Sequence, residues 1–227
     1  IPTDTWRLTV PRRAKAIPEL LLLGRRRRDD DDSGRVLEEE RIEAAAALMD
    51  EAARPLIVVG SGALDAAEEV RSLAEALQAP VCSNRNGNGV LSSEHPLAIR
   101  MPVAHGVWAD VDLVIGLGTK LAQVMEWGRD DDLKVVHVDV DPREIGKCCP
   151  ADVALVADLR HVLPTLLHKV NLRRQRDDDE ATTTTTKRRR RESSSSSWAA
   201  RVASVKAACE RAYWKDIAPQ MEWLPAL

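Results

Sequence analysis

Four short stretches of this sequence place glycine beside polar side chains in a way that could hold a ligand. They are Gly60-Ser-Gly62, Asn84 to Gly89, Gly116-Leu-Gly-Thr-Lys120 and Asp139-Val-Asp-Pro142. Glycine lets backbone N–H groups come close to a phosphate or a flavin, and Lys120 could add positive charge. Asp139 and Asp141 could accept hydrogen bonds from a ribose or from ring N–H groups, or could simply cap the next turn. The glycines have an equally good structural reading as tight exits from strands. His105, beside Gly106 at a helix start, is a further candidate contact, with a capping or structural role as its alternative. The candidate binding residues are therefore Gly60, Ser61, Gly62, Asn86, Gly87, Gly89, His105, Gly106, Gly118, Thr119, Lys120, Asp139 and Asp141.

Familiar chemistries can be tested against these residues. A nicotinamide fingerprint would need a third glycine where Asp65 stands and an acidic residue near Ser83 to hold a ribose. A Walker A loop would need Ser or Thr after Gly146-Lys147, where Cys148 stands. No G-x-S-x-G elbow occurs, so a hydrolase triad has no anchor. Cys82, Cys148, Cys149 and Cys209 form no C-x-x-C pair and are read as ordinary thiols. His137, inside a strand, is read as a satisfied structural histidine; His95, His161 and His168 fall on loop or helix-surface positions. No residue of this chain is assigned a catalytic or metal-binding role.

The elements that would position these turns follow from the apolar pattern. Glu38 to Ala53 carries Ile42, Ala45, Ala46, Met49, Ala52 and Ala53 on one helical face. Pro55 to Gly60 then suits a strand buried on both sides. Asp65 is expected to cap a helix using Ala66, Val70, Leu73, Ala74 and Leu77, and Pro80 to Ser83 is a short second strand. Gly87, Gly89 and Pro96 mark a long connection, followed by a helix from Pro102 to Val111 and a strand from Asp112 to Gly116. In Lys134 to Asp141, Val136, Val138 and Val140 alternate with His137, Asp139 and Asp141, which predicts one aliphatic and one polar face. A last strand, Val153 to Val156, precedes a helix using Val162, Leu163, Leu166, Leu167 and Val170. Repeated strand–helix order argues for a doubly wound α/β fold, Rossmann-like, with five to six parallel strands and helices on both faces. Ligands in such a sheet sit beyond the carboxyl ends of the strands, where all four turns lie.

Two biased tracts interrupt this pattern, Arg25 to Asp32 and Arg173 to Ser197, and both are expected to be mobile loops. After the second, Trp198, Val202, Val205, Cys209 and Tyr213 keep helical spacing and predict an amphipathic helix packing back on the domain. The chain thus divides into a linker over 1–34, a core domain over 35–170, a low-complexity insertion over 171–197, and a helix and linker over 198–227.

The 227 residues are 44% apolar and 30% charged, which allows a globular core. With no Phe and one Tyr, that core must be built from aliphatic side chains and six Trp. A net charge of −3 gives no general attraction to nucleic acid or an anionic membrane. No apolar run reaches the ~18 residues of a spanning helix and no signal peptide opens the chain. The expected setting is intracellular, cytoplasmic or organellar, and the opening Ile1 suggests a piece of a longer protein.

From Arg54 to Val170 the order of motifs resembles the central domain of thiamine-diphosphate-dependent enzymes of the acetolactate synthase, benzoylformate decarboxylase and oxalyl-CoA decarboxylase group. The residues that carry it are Arg54-Pro-Leu-Ile-Val-Val-Gly-Ser-Gly62, Ala79-Pro-Val81, Asn86-Gly-Asn-Gly-Val90, Glu94-His-Pro-Leu97, His105-Gly106, Ala109-Asp-Val-Asp-Leu-Val-Ile-Gly-Leu-Gly118 and Val136-His-Val-Asp-Val-Asp-Pro-Arg-Glu-Ile-Gly-Lys147. Ile1-Pro-Thr-Asp4 looks like the end of the family's pyrimidine-binding domain, and Ala218 to Leu224 like the approach to its pyrophosphate-binding domain. The resemblance implies those two domains as partners, a homodimer or homotetramer, and thiamine diphosphate with Mg2+ in the intact enzyme, held outside this chain. The implied reaction is attack on a 2-oxo acid, decarboxylation, then carboligation or aldehyde release. It also implies FAD, or ADP, on this domain at the turns named above. Lys120-Leu-Ala-Gln-Val124 stands where the flavin-carrying branch has Arg-Phe-Asp-Asp-Arg, whereas Glu144-Ile-Gly-Lys147 points to acetolactate-synthase-like members. Other readings are a structural spacer, a stand-alone dinucleotide-binding protein and a non-catalytic remnant.

Overall fold

The computed structural model describes residues 32–129, 132–179 and 184–221. Helix α1 spans Asp32–Glu51 and leads into strand β1, Pro55–Val59. Then follow α2 (Ala67–Leu77), β2 (Val81–Ser83), β3 (Ala98–Ile99), α3 (Met101–Val107), β4 (Leu113–Leu117) and α4 (Ala122–Met125). Strands β5 (Lys134–Asp139) and β6 (Val153–Val156) precede the long helices α5 (Leu159–Asp179) and α6 (Thr184–Met221).

The six strands form one parallel sheet in the order β3-β2-β1-β4-β5-β6. Leu56 and Val58 of β1 point to one side with Val114 and Val135, into a layer built with α3, α4 and the Trp198–Val202 turn of α6. Ile57 and Val59 point to the other side with Ile115, Leu117, Val136 and Val138, into a layer built with α1, α2 and α5. A strand covered on both faces has no polar side, which is why β1 and β4 are buried at every position. The doubly wound architecture expected from the strand–helix alternation is therefore present, with helices on both faces.

Polar groups fix the rim opposite the turns. The Asp112 carboxylate accepts the N–H groups of Ala53 and Arg54 at 3.0 and 2.9 Å, tying the start of β1 to the start of β4. Gln78, in the left-handed region at φ 52°, closes α2 by donating its N–H to Ala74 and Glu75.

Several local expectations are corrected. Asp65 does not cap α2: a 3-10 turn over Ser61–Ala66 runs into the helix, and Ala66 is its N-cap with no side-chain hydrogen bond. In β5 both faces are buried from Val135 to Val138, because β4 and β6 flank it and helices cover it on either side; Val140, beyond the strand, is 71% exposed. The long connection after Gly89 holds the two-residue edge strand β3, which is too short to leave a periodic signal. The tract from Arg173 to Ser197 is not looped where it is described. Helix α5 continues to Asp179 and α6 begins at Thr184, in a stretch with no Gly or Pro between Thr165 and Ile217. Arg173 and Arg174, on α5, pair with Glu43 and Asp50 of α1. The Arg25–Asp31 part of the first tract, the Ile1–Asp4 match and the residues after Met221 lie outside the described residues.

Candidate functional site

The strands β2, β1, β4 and β5 are neighbours in the sheet, so the four glycine- and aspartate-bearing turns line up along one edge. Their centre is the seam between β1 and β4, where the chain direction of the crossovers reverses. At this seam the turns lie on one another. Gly60 N–H donates to Leu117 O at 3.1 Å, Gly62 N–H to Gly118 O at 3.2 Å, and Gly118 N–H to Val138 O at 2.9 Å. A Cβ on Gly62 would stand 2.9 Å from Gly118 Cα, and one on Gly118, which has φ +56°, would stand 2.6 Å from Gly62 Cα. Gly87 meets the end of β1 the same way, with a Cβ position 2.9 Å from the Val59 carbonyl carbon. These glycines admit backbone against backbone. This close approach is what a tight exit from a strand requires.

Beside the seam is a shallow, open recess, about 180 Å3 with the solvent at its mouth included, lined by Val58, Asn84, Met101, Thr119, Leu121, Gln123 and Val124. Its floor is the turn leaving β4, in which Leu121 also adopts a left-handed backbone, φ 56°. That conformation lays the Leu121 side chain over Gly116, where a Cβ would come within 2.8 Å of it. Around the recess, Ser61, Asn86 and Gly89 are exposed, and Gly89, with φ +101°, faces open space. Thr119 is buried, while Lys120 reaches Glu144 at 3.6 Å, and Glu144 is also bound by Lys147 at 3.0 Å. The two lysines hold the Glu144 carboxyl below its usual range.

At the end of β5, Asp139 accepts the Asp141 N–H at 2.9 Å, and Asp141 is gripped by the Arg143 guanidinium at 2.8 Å. Hydrogen bonds from the Arg143 side chain and backbone hold the Asp141 carboxyl at about 2. The Asp-rich turn is thus a self-contained Asx turn and ion pair. His105 and Gly106 are not among the residues around the recess. His105 stands edge-on to Trp127 at 5.1 Å, and a Cβ on Gly106 would meet Val205 of α6 at 2.7 Å.

One residue that matters here was read as ordinary. His137 is 1% exposed; its Nε2 donates to Thr119 O at 2.7 Å, while Nδ1 is buried without a partner. Burial lowers its pKa, against the opposing pull of the Thr119 hydrogen bond and of Asp139 and Glu144. A histidine between valines in a strand was the available signal, but the tie to Thr119 spans two strands.

A family model for the thiamine pyrophosphate enzyme central domain matches residues 42–166, more than half of the chain. The chain belongs to the thiamine pyrophosphate enzyme central-domain family. The match runs from within α1 to within α5 and so contains the whole sheet. Among similar proteins, a probable acetolactate synthase large subunit of Methanocaldococcus jannaschii is 36% identical over 131 residues, 53% of this chain and 22% of that protein. Acetolactate synthase of Mycobacterium leprae is 38% identical over 131 residues, 53% of this chain and 21% of that protein. The acetolactate synthase large subunit of Corynebacterium glutamicum is 36% identical over the same length. The matched region spans about a fifth of the length of these relatives.

The groups that this central domain's family implies can be tested on the residues. No three His, Cys, Asp or Glu side chains come together to hold a metal among the described residues. For a flavin or ADP, the seam amides already donate within the protein, and Asp139 and Asp141 are engaged locally. The recess encloses essentially no space of its own, against the roughly 300 Å3 at which ligand pockets begin. As placed, the residues do not fit a dinucleotide. Among the described residues, no helix is long and apolar enough to cross a membrane.

Proposed function

We propose that this chain is the scaffold domain of an acetolactate-synthase-like thiamine-diphosphate enzyme, without turnover of its own. The observation that carries the reading is the locked seam: the amides of Gly60, Gly62 and Gly118 donate to Leu117 O, Gly118 O and Val138 O, where a nucleotide-binding sheet would present them free. Its partners are the pyrimidine- and pyrophosphate-binding domains of the parent enzyme, assembled as a homodimer or homotetramer in the cytoplasm or an organelle. Thiamine diphosphate, held with Mg2+ between those domains, supplies the carbanion chemistry that decarboxylates a 2-oxo acid and joins the fragment to a second one. The role of this chain is to present two covered sheet faces and a rigid edge against which the catalytic domains are set.

Incubating the chain with thiamine diphosphate, Mg2+ and pyruvate tests this reading. No CO2 release above the buffer rate is expected, and turnover would overturn it. Calorimetric titration with FAD and with ADP tests the spacer role. No saturable heat is expected at micromolar ligand; saturation there would favour the stand-alone dinucleotide-binding protein instead.

A further inference from the structure

The basic tract near the start of α6 leads directly into a run of hydroxyls, Lys187-Arg-Arg-Arg-Arg-Glu-Ser-Ser-Ser-Ser-Ser197. Of the five serines, only Ser193 has arginine both two and three residues before it, in Arg191 and Arg190, with Arg188 five before. Ser194 keeps Arg191 three residues back but has Glu192 two back, and Ser196 and Ser197 stand five and six residues beyond Arg191, the last of the run. Ser193, Ser196 and Ser197 are exposed, whereas Ser194 and Ser195 are half-buried. Paired arginines and an exposed hydroxyl-bearing residue therefore coincide at Ser193 alone.

We propose that Ser193 is a phosphorylation site for an arginine-directed protein kinase, one whose acidic substrate groove selects a serine that follows paired arginines. The Ser193 hydroxyl oxygen attacks the γ-phosphorus of a nucleoside triphosphate held by the kinase. The new O–P bond replaces the bond to the diphosphate leaving group, and the hydroxyl proton passes to the catalytic carboxylate of the kinase. A kinase takes its substrate in extended form, so this stretch of α6 must open. Ser193 to Ser197 favour opening, because they are five successive weak helix formers whose hydroxyls compete for the backbone. The Ser196 hydroxyl does so by donating to Ser193 O at 3.1 Å. Among the described residues, the first buried side chain of α6 is Trp198, anchored by its Nε1–H to Pro55 O at 3.1 Å. Opening as far as Ser197 therefore leaves the docked part of the helix in place. The added phosphate brings close to two negative charges three and four residues after Arg190 and Arg189, the helical spacing at which opposite charges meet. The modified segment can thus return to helix.

Labelling the whole chain with the catalytic subunit of cyclic-AMP-dependent protein kinase, Mg2+ and ATP, followed by peptide mass analysis, tests the site. One phosphate per chain is expected, on Ser193. The initial rate should fall about tenfold or more in Ser193→Ala, and equally in a double variant, Arg190→Ala with Arg191→Ala, that keeps every hydroxyl. Unchanged rates in these variants, or phosphate carried mainly on Ser194 to Ser197, would overturn the proposal. A synthetic peptide of Lys187 to Ser197 measures access in the folded protein. The whole chain is expected to be labelled within about a hundredfold of the peptide rate; slower labelling would mean that α6 withholds the serine and would reject the site.

Discussion

A glycine can be present for its flexibility or for the space it leaves, and the glycines of this sheet edge separate the two cases. Gly118→Ala adds a methyl 2.6 Å from Gly62 Cα on a backbone at φ +56°, so steric overlap and left-handed strain act together. A loss of roughly 2 to 4 kcal/mol is expected in urea unfolding. Gly89→Ala meets nothing within 4 Å and carries only the conformational term, so about 1 to 2 kcal/mol is expected there. A difference of less than about 0.5 kcal/mol between the two variants would mean that the seam is not tightly packed. The sequence shows a glycine at each place but not its neighbour, because Gly62 and Gly118 meet across 55 intervening positions. His137 was opaque for the same reason: its partner, Thr119, lies in the turn after another strand. The partner of Asp141 is local, Arg143 two residues on, although the sequence reading offered only a ribose contact or a turn cap for it.

Elements with a period long enough to be read were legible. The aliphatic runs of β1 and β4 and the apolar face of α2 needed no tertiary information. The stripe from Trp198 to Val205 also identified α6 as a helix that returns to the domain. Its Trp198 is 2% exposed in the layer beneath α3 and donates Nε1–H to Pro55 O at 3.1 Å. Trp198→Ala is expected to cost about 3 to 5 kcal/mol, checked by urea unfolding, because it leaves a cavity and an unpaired carbonyl beside β1. A loss under about 1 kcal/mol would mean that α6 is only loosely docked. Elements defined by contact were not legible. β3 has two residues, and α5 extends through Arg173 and Arg174, whose partners are on α1. Charge runs looked like solvated loops because their counter-charges lie so far away in sequence.

For the molecule as a whole, acid should act in two stages. His137 has a folded pKa below its unfolded value, so its contribution is complete above about 6.5 and declines as pH falls below that. The slope is at most about 1.4 kcal/mol per pH unit. Asp141 and Asp158, each held at about 2 by its own arginine, stabilise above their ordinary value of 3.8 and lose that contribution as pH falls towards 2. Urea midpoints measured from pH 8 to 3 should therefore stay flat to about 6.5, decline, and decline further below 4. In His137→Gln the first decline should be absent; if it persists, another group is responsible. A further consequence lies in the pairing of Lys169 with Glu39 and of Arg173 with Glu43, each across 130 residues. Helix α1 is therefore among the last elements of this domain to find its full cover. Until α5 has been synthesised, α1 lacks the helix it packs against most, so the nascent domain exposes part of the apolar Ala45, Ala46 and Met49 face.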